Sequence, residues 1–209
     1  MQLRFPPVTS TITACLLVAF ALQNLLGEVR VLPFALWPPG HEVIGVDEDG
    51  APIVAGFAPL QMLTYGFLHG DLTHLLLNLA GLLIFAPDVE RLLGTLRFVL
   101  LYVACLAAAA LAQLVTAHLE AAFYPTVGAS GAIYGVIVAA AMLFPQREIF
   151  LFFPPVHLAA RNAALIMVVA EVVHGVLGTQ AGVAHFAHLG GAVVGFLLIL
   201  LWRPRRAEP

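Results

Sequence analysis

Apolar runs of about twenty residues recur along this chain, separated by short polar or proline-containing stretches. A helix needs roughly 20 such residues to cross about 30 Å of hydrocarbon. In lipid, only helices and closed barrels satisfy every backbone polar group internally. The chain is 61% hydrophobic and 10% charged, against about 45–50% and about 25% in soluble domains. An all-α membrane protein is therefore expected, with one domain over 1–209 and spans at 9–26, 72–93, 96–117, 130–144, 158–177 and 183–202. The breaks carry the expected punctuation: Pro33, Pro38, Pro39, Gly40, Pro125, Pro145, Pro154 and Pro155. The first run lacks a small-residue cleavage site and is no more apolar than the later ones, so it is expected to remain as a span. Cys15 and Cys105 fall in different apolar runs and read as packing residues, with no disulfide expected.

Every basic residue is Arg. If six spans alternate, Arg4, Arg91, Arg97, Arg147, Arg161, Arg203, Arg205 and Arg206 share one side, and only Arg30 is left on the other. Basic residues near span ends are retained in the cytoplasm, so both termini are expected there. The long connection 28–59 then faces outward, and its acids Glu42, Asp47, Glu48 and Asp49 suit that side, their plainest reading being a solvated loop.

The fourth run is short: from 130 to 144 a helix rises only about 22 Å, too little to cover the hydrocarbon. Ser130 therefore starts below the outer surface, and non-helical backbone at that depth requires surrounding protein or a water-filled recess. By the same rise, Ser130 lies about 25 Å from Arg147, His74 about 25 Å from Arg91 and His188 about 22 Å from Arg203. Three polar side chains at one depth in a bilayer form a candidate site. Ser130 and Tyr134 are four residues apart on one helical face, and His74 and Asn78 likewise. Gly131 and Gly135 on the fourth run, and Gly191 and Gly195 after His188 on the sixth, repeat at the interval that lets helices approach closely. Packing alone would account for these glycines, and it would also bring an imidazole within reach of a hydroxyl.

At these residues the chain resembles the rhomboid intramembrane proteases. The family pattern Gly-x-Ser-Gly-x-x-Tyr-Gly is matched by Gly128, Ser130, Gly131, Tyr134 and Gly135. Ala187, His188, Gly191 and Gly195 match Ala-His-x-x-Gly-x-x-x-Gly, and His69, His74 and Asn78 match His-x4-His-x3-Asn. Glu90 and Gly94 match Glu-x3-Gly, and the likeness runs over about 61–201. It implies a six-transmembrane-helix bundle with a short, recessed fourth helix carrying the serine. It also implies an endopeptidase that cuts membrane-spanning segments with a Ser130–His188 dyad. By the resemblance, the Ser130 N–H, His74 and Asn78 hold the oxyanion, at about 3–4 kcal/mol of barrier per donor, and Tyr134 packs on the base. Single-span membrane proteins within the bilayer are the implied substrates, those with weak helix formers such as Gly or Pro above all. Neither a cofactor, a metal nor a nucleic-acid partner is expected.

The family's Trp-Arg pair is absent: Trp37 is followed by Pro38. No carboxylate is placed beside His188 by the sequence. Glu171 and His174, near the outer end of the fifth run, read either as cavity-facing polar residues by a substrate entrance or as a structural hydrogen bond, with a proton-linked role a third option; His185 reads as structural. Two other functions compete: a catalytically silent rhomboid-like protein that binds membrane clients, and a metal or proton transporter built on His69, His74, His185 and His188. Arg in place of Lys and abundant Ala fit a bacterial inner membrane.

Overall fold

The computed structural model describes residues 6–46, 49–152, 155–179 and 182–202. Arg4, Asp47, Glu48, Pro154, Arg203, Arg205 and Arg206 lie outside the described residues. Six helices organise the molecule: α1 (Pro7–Leu26), α2 (Leu72–Leu93), α3 (Thr95–Leu119), α4 (Ser130–Leu143), α5 (Ala160–Leu177) and α6 (His185–Trp202). Five of them are long and apolar enough to cross a membrane, and α4, with 14 residues, is the shorter sixth. Leu25, Leu77, Leu96, Val176 and Leu201 are all more than two-thirds exposed, an apolar surface that lipid would cover and water would not tolerate.

Helix ends follow local chemistry. Asp71 caps α2, its carboxylate accepting the His74 N–H at 2.8 Å. Gly94, at φ +78°, ends α2, its N–H donating to the Glu90 carbonyl at 2.8 Å. Helix α1 begins with Pro7 and has no cap of its own. Glu90 supplies one from α2, accepting the N–H groups of Val8 (2.8 Å) and Thr9 (2.7 Å) and the Thr9 hydroxyl (2.7 Å).

Helix α4 occupies the centre, packed by α2, α3, α5 and α6, while α1 leans on α2. Nine of its residues are buried, among them Gly131, Gly135, Ile137 and Leu143. Between helices in lipid the attraction is close van der Waals contact, since lipid tails are as apolar as Leu. Glycine supplies that contact here: a Cβ on Gly191 would collide with the Gly131 carbonyl, and one on Gly195 with that of Gly135.

The chain is mostly helical, and its connections add two short hairpins to the helical bundle. Strands β1 (Glu42–Val46) and β2 (Pro52–Ala55) pair antiparallel, with a register irregularity between Val43 and Gly45. A second hairpin joins β3 (Glu148–Phe152) and β4 (Pro155–Ala159). Its Glu-Ile-Phe-Leu-Phe run favours a strand over a helix, and Pro155 stands at the strand start, where a missing N–H is tolerated. Helix α5 consequently starts at Ala160, two residues later than 158, and α6 starts at His185 rather than 183.

Gln61 organises the long connection 28–59. Its side-chain oxygen accepts the N–H groups of Trp37 (3.2 Å) and Ala58 (3.1 Å), and its amide donates to the carbonyls of Pro33 (3.1 Å) and Gly56 (3.0 Å). Trp37 is thereby buried, its Nε1 donating to the Leu32 carbonyl at 2.8 Å and its ring 5.4 Å from that of Phe123. Leu36 then pairs by two 2.9 Å backbone bonds with Thr126, just ahead of α4.

Candidate active site

Three devices hold the segment leading into α4: the Leu36–Thr126 bridge, the Gly128 N–H donating to the Tyr65 carbonyl at 3.0 Å, and Tyr65 itself, whose hydroxyl donates to the Leu106 carbonyl at 2.8 Å. Gly128 has φ +122°, a conformation that side chains resist, and a Cβ there would stand 2.7 Å from Nε2 of His74. Ser130 follows as the first residue of α4, where unpaired N–H groups and the positive dipole end favour negative charge.

The glycine contacts set α6 against α4, and His188 Nε2 comes 2.7 Å from Ser130 Oγ. Tyr134, one turn further along α4, stacks on the imidazole with ring centroids 4.5 Å apart and an interplanar angle of 8°. His74 faces the same space from α2. Asn78 is buried one turn below, its amide donating to the His74 carbonyl at 2.9 Å, while its Oδ1 has no partner among the described residues. The structure thus brings together Ser130, His188, Tyr134 and His74 directly, with Asn78 adjoining.

One expectation needs correction. A carboxylate does stand beside His188: Glu171 of α5 places Oε2 3.0 Å from its Nδ1. The approach is near enough for an ion pair but is not aligned as a hydrogen bond from Nδ1. Glu171 also accepts the Tyr134 hydroxyl on Oε1, in a very short contact, and meets His185 Nδ1 at 2.6 Å through Oε2. Sequence spacing could not reveal this, because the groups come from three helices whose relative rotation is a tertiary property. The available clue was general: a carboxylate in an apolar run needs partners. His174 lies apart from the dyad, its Nδ1 2.7 Å from the Thr179 hydroxyl. His69 and His74 lie with ring centroids 5.1 Å apart, whereas His185 belongs with Glu171. Among the described residues, no three or more His, Cys, Asp or Glu side chains are arranged to hold a metal ion.

Several helices apolar and long enough to cross a membrane, together with the family match below, make this a multi-pass integral membrane protein, within which a serine hydroxyl meets an imidazole. The chain belongs to the rhomboid family: the family model described as "Rhomboid domain" matches residues 57–205. "RHOMBOID-like protein 4" of Arabidopsis thaliana is 34% identical over 161 residues, covering 75% of this chain and 38% of that protein. "Presenilin-associated rhomboid-like protein A, mitochondrial" of Danio rerio is 30% identical over 152 residues, or 70% of this chain and 39% of its own length. "Putative rhomboid protease YdcA" of Bacillus subtilis (strain 168) is 31% identical over 141 residues, 68% of this chain and 66% of that protein. The chain spans about two fifths of the length of several curated relatives it matches.

Proposed function

We propose that this protein is an intramembrane serine endopeptidase that cleaves membrane-spanning segments of other proteins. The observation that carries the proposal is the 2.7 Å contact between Ser130 Oγ and His188 Nε2 at the start of a short helix. In this reading His188 takes the hydroxyl proton as Oγ attacks a peptide carbonyl. The proton then passes to the departing amine, and water attacks the acyl group by the same route in reverse. The Ser130 N–H, His74 and Asn78 stabilise the oxyanion, and Tyr134 holds the imidazole plane. The 14-residue length of α4 supports a recess reached from the outward side, and the arginine distribution in the sequence supports six spans with both termini cytoplasmic. Arg in place of Lys and abundant Ala support a bacterial cell membrane.

Single-span proteins whose helix unwinds easily near its outer end are the expected substrates, because a helical carbonyl must be freed before attack. Purified protein in detergent or liposomes should cleave such a substrate and take up a fluorophosphonate at Ser130, and chelators should leave both reactions intact. Ser130→Ala and His188→Ala should each abolish cleavage while keeping the wild-type thermal midpoint. Undiminished cleavage by Ser130→Ala, or a folded wild-type protein inert to substrate and probe alike, would sink the reading and leave a silent client-binding protein.

A further inference from the structure

If Ser130 is activated by His188, as proposed above, the lone pair of Nε2 faces Oγ and the ring proton resides on Nδ1. That Nδ1 is buried and has no aligned hydrogen-bond partner among the described residues. A buried donor left unpaired is costly, and an imidazolium formed there during attack is costlier still. Glu171 Oε2, 3.0 Å away, is placed to answer both needs.

We propose that Glu171 is a positioning residue for His188: its carboxylate selects the Nδ1–H tautomer, holds the ring toward Ser130 and sets an oxygen against the charge the ring gains. Its remaining contacts serve the same end. Oε1 accepts the hydroxyl of Tyr134, the ring stacked on His188, so one carboxylate fixes the imidazole at its edge and through its face. Oε2 also meets His185 Nδ1 at 2.6 Å, and His185 Nε2 lies 3.1 Å from the Thr179 carbonyl. A carbonyl only accepts, so Nε2 of His185 carries a proton and a second proton is shared between Nδ1 and Oε2. Glu171 and His185 together are then neutral, which lowers the cost of a carboxylate at this depth, and Oε2 presents the negative end of that pair to the His188 ring. The polar and titratable groups around the His188 ring are thus Ser130 and Tyr134 from α4, Glu171 from α5, His74 from α2 and His185 three residues earlier on α6.

The full chain in detergent, with a fluorogenic single-span substrate, tests this. Glu171→Gln should lower kcat about 10- to 100-fold, at or below the lower limit for proton-transfer groups because the contact is not aligned, with KM changed less than about twofold. Fluorophosphonate labelling of Ser130 should slow in parallel, and Glu171→Asp should recover part of the rate. A folded Glu171→Gln protein with wild-type kcat, or one whose loss lies wholly in KM, overturns the proposal. Should Glu171→Gln fail to fold, the tautomer decides. In wild-type protein carrying ¹⁵N-histidine, with His188 assigned by loss of its signal in His188→Gln, a protonated Nδ1 and bare Nε2 are expected, and the reverse overturns the proposal. A folded wild-type protein inert toward substrate and probe refutes the protease reading instead, while the tautomer still reports on the Glu171 contact.

Discussion

His69 has no exposed surface, and neither ring nitrogen has a hydrogen-bond partner among the described residues. Burial, reinforced by the neighbouring His74, lowers its pKa from 6.5 to about 4. The folded protein therefore holds His69 neutral through a range where the unfolded chain binds a proton. Its contribution to stability is complete above about pH 6.5 and is lost as pH falls toward about 4, amounting to about 3 kcal/mol over that window. The thermal midpoint in detergent should fall between those limits, and the slope should flatten in His69→Gln. At this scale motif spacing was enough to single out Ser130, His188, His74, Asn78 and Tyr134 as neighbours, and the structure brings them close together. It did not disclose the partner of Glu171, which depends on how α5 is turned against α6.

Between elements, the backbone contact of α4 with α6 controls the distance from hydroxyl to imidazole. Gly191→Ala drives a methyl into the Gly131 carbonyl, an atom fixed in a helix and unable to yield by rotamer change. The expected result is a loss of about 1–3 kcal/mol in stability together with a fall in kcat/KM larger than that seen on altering lipid-facing Val193, since Ser130 Oγ and His188 Nε2 are pushed apart. Thermal unfolding and initial-rate measurements on both variants check it. Helix ends were legible where a breaker or cap stands in the sequence, as at Asp71, Gly94 and Pro145. The hairpins were not, because β1 has no simple polar–apolar alternation and β3 is a short apolar run indistinguishable by period from buried helix. The role of Gln61 was also out of reach, since its four partners come from scattered loop positions.

For the molecule as a whole, Glu90 ties α1 to the remainder. Both its oxygens accept at the first turn of α1, and the residue is buried. Glu90→Gln keeps the shape but removes the charge and turns one acceptor into a donor facing backbone N–H groups. A loss of about 1–3 kcal/mol follows, to be read as a lower unfolding midpoint in detergent. Dyad reactivity toward fluorophosphonate should persist below that midpoint.

The other end of α1 is tied in the same manner. Gln23 donates to the His69 carbonyl at 2.6 Å and accepts the His69 N–H at 3.2 Å. Helix α1 is synthesised before α2, so the groups that complete both its ends are translated later, Glu90 some 81 residues after Thr9. On the ribosome, α1 enters the bilayer with its leading amides bare and reaches its final seat only when α2 joins it. A nascent polypeptide arrested before residue 90 lacks the Glu90 cap and is expected to hold α1 less tightly than the finished protein does.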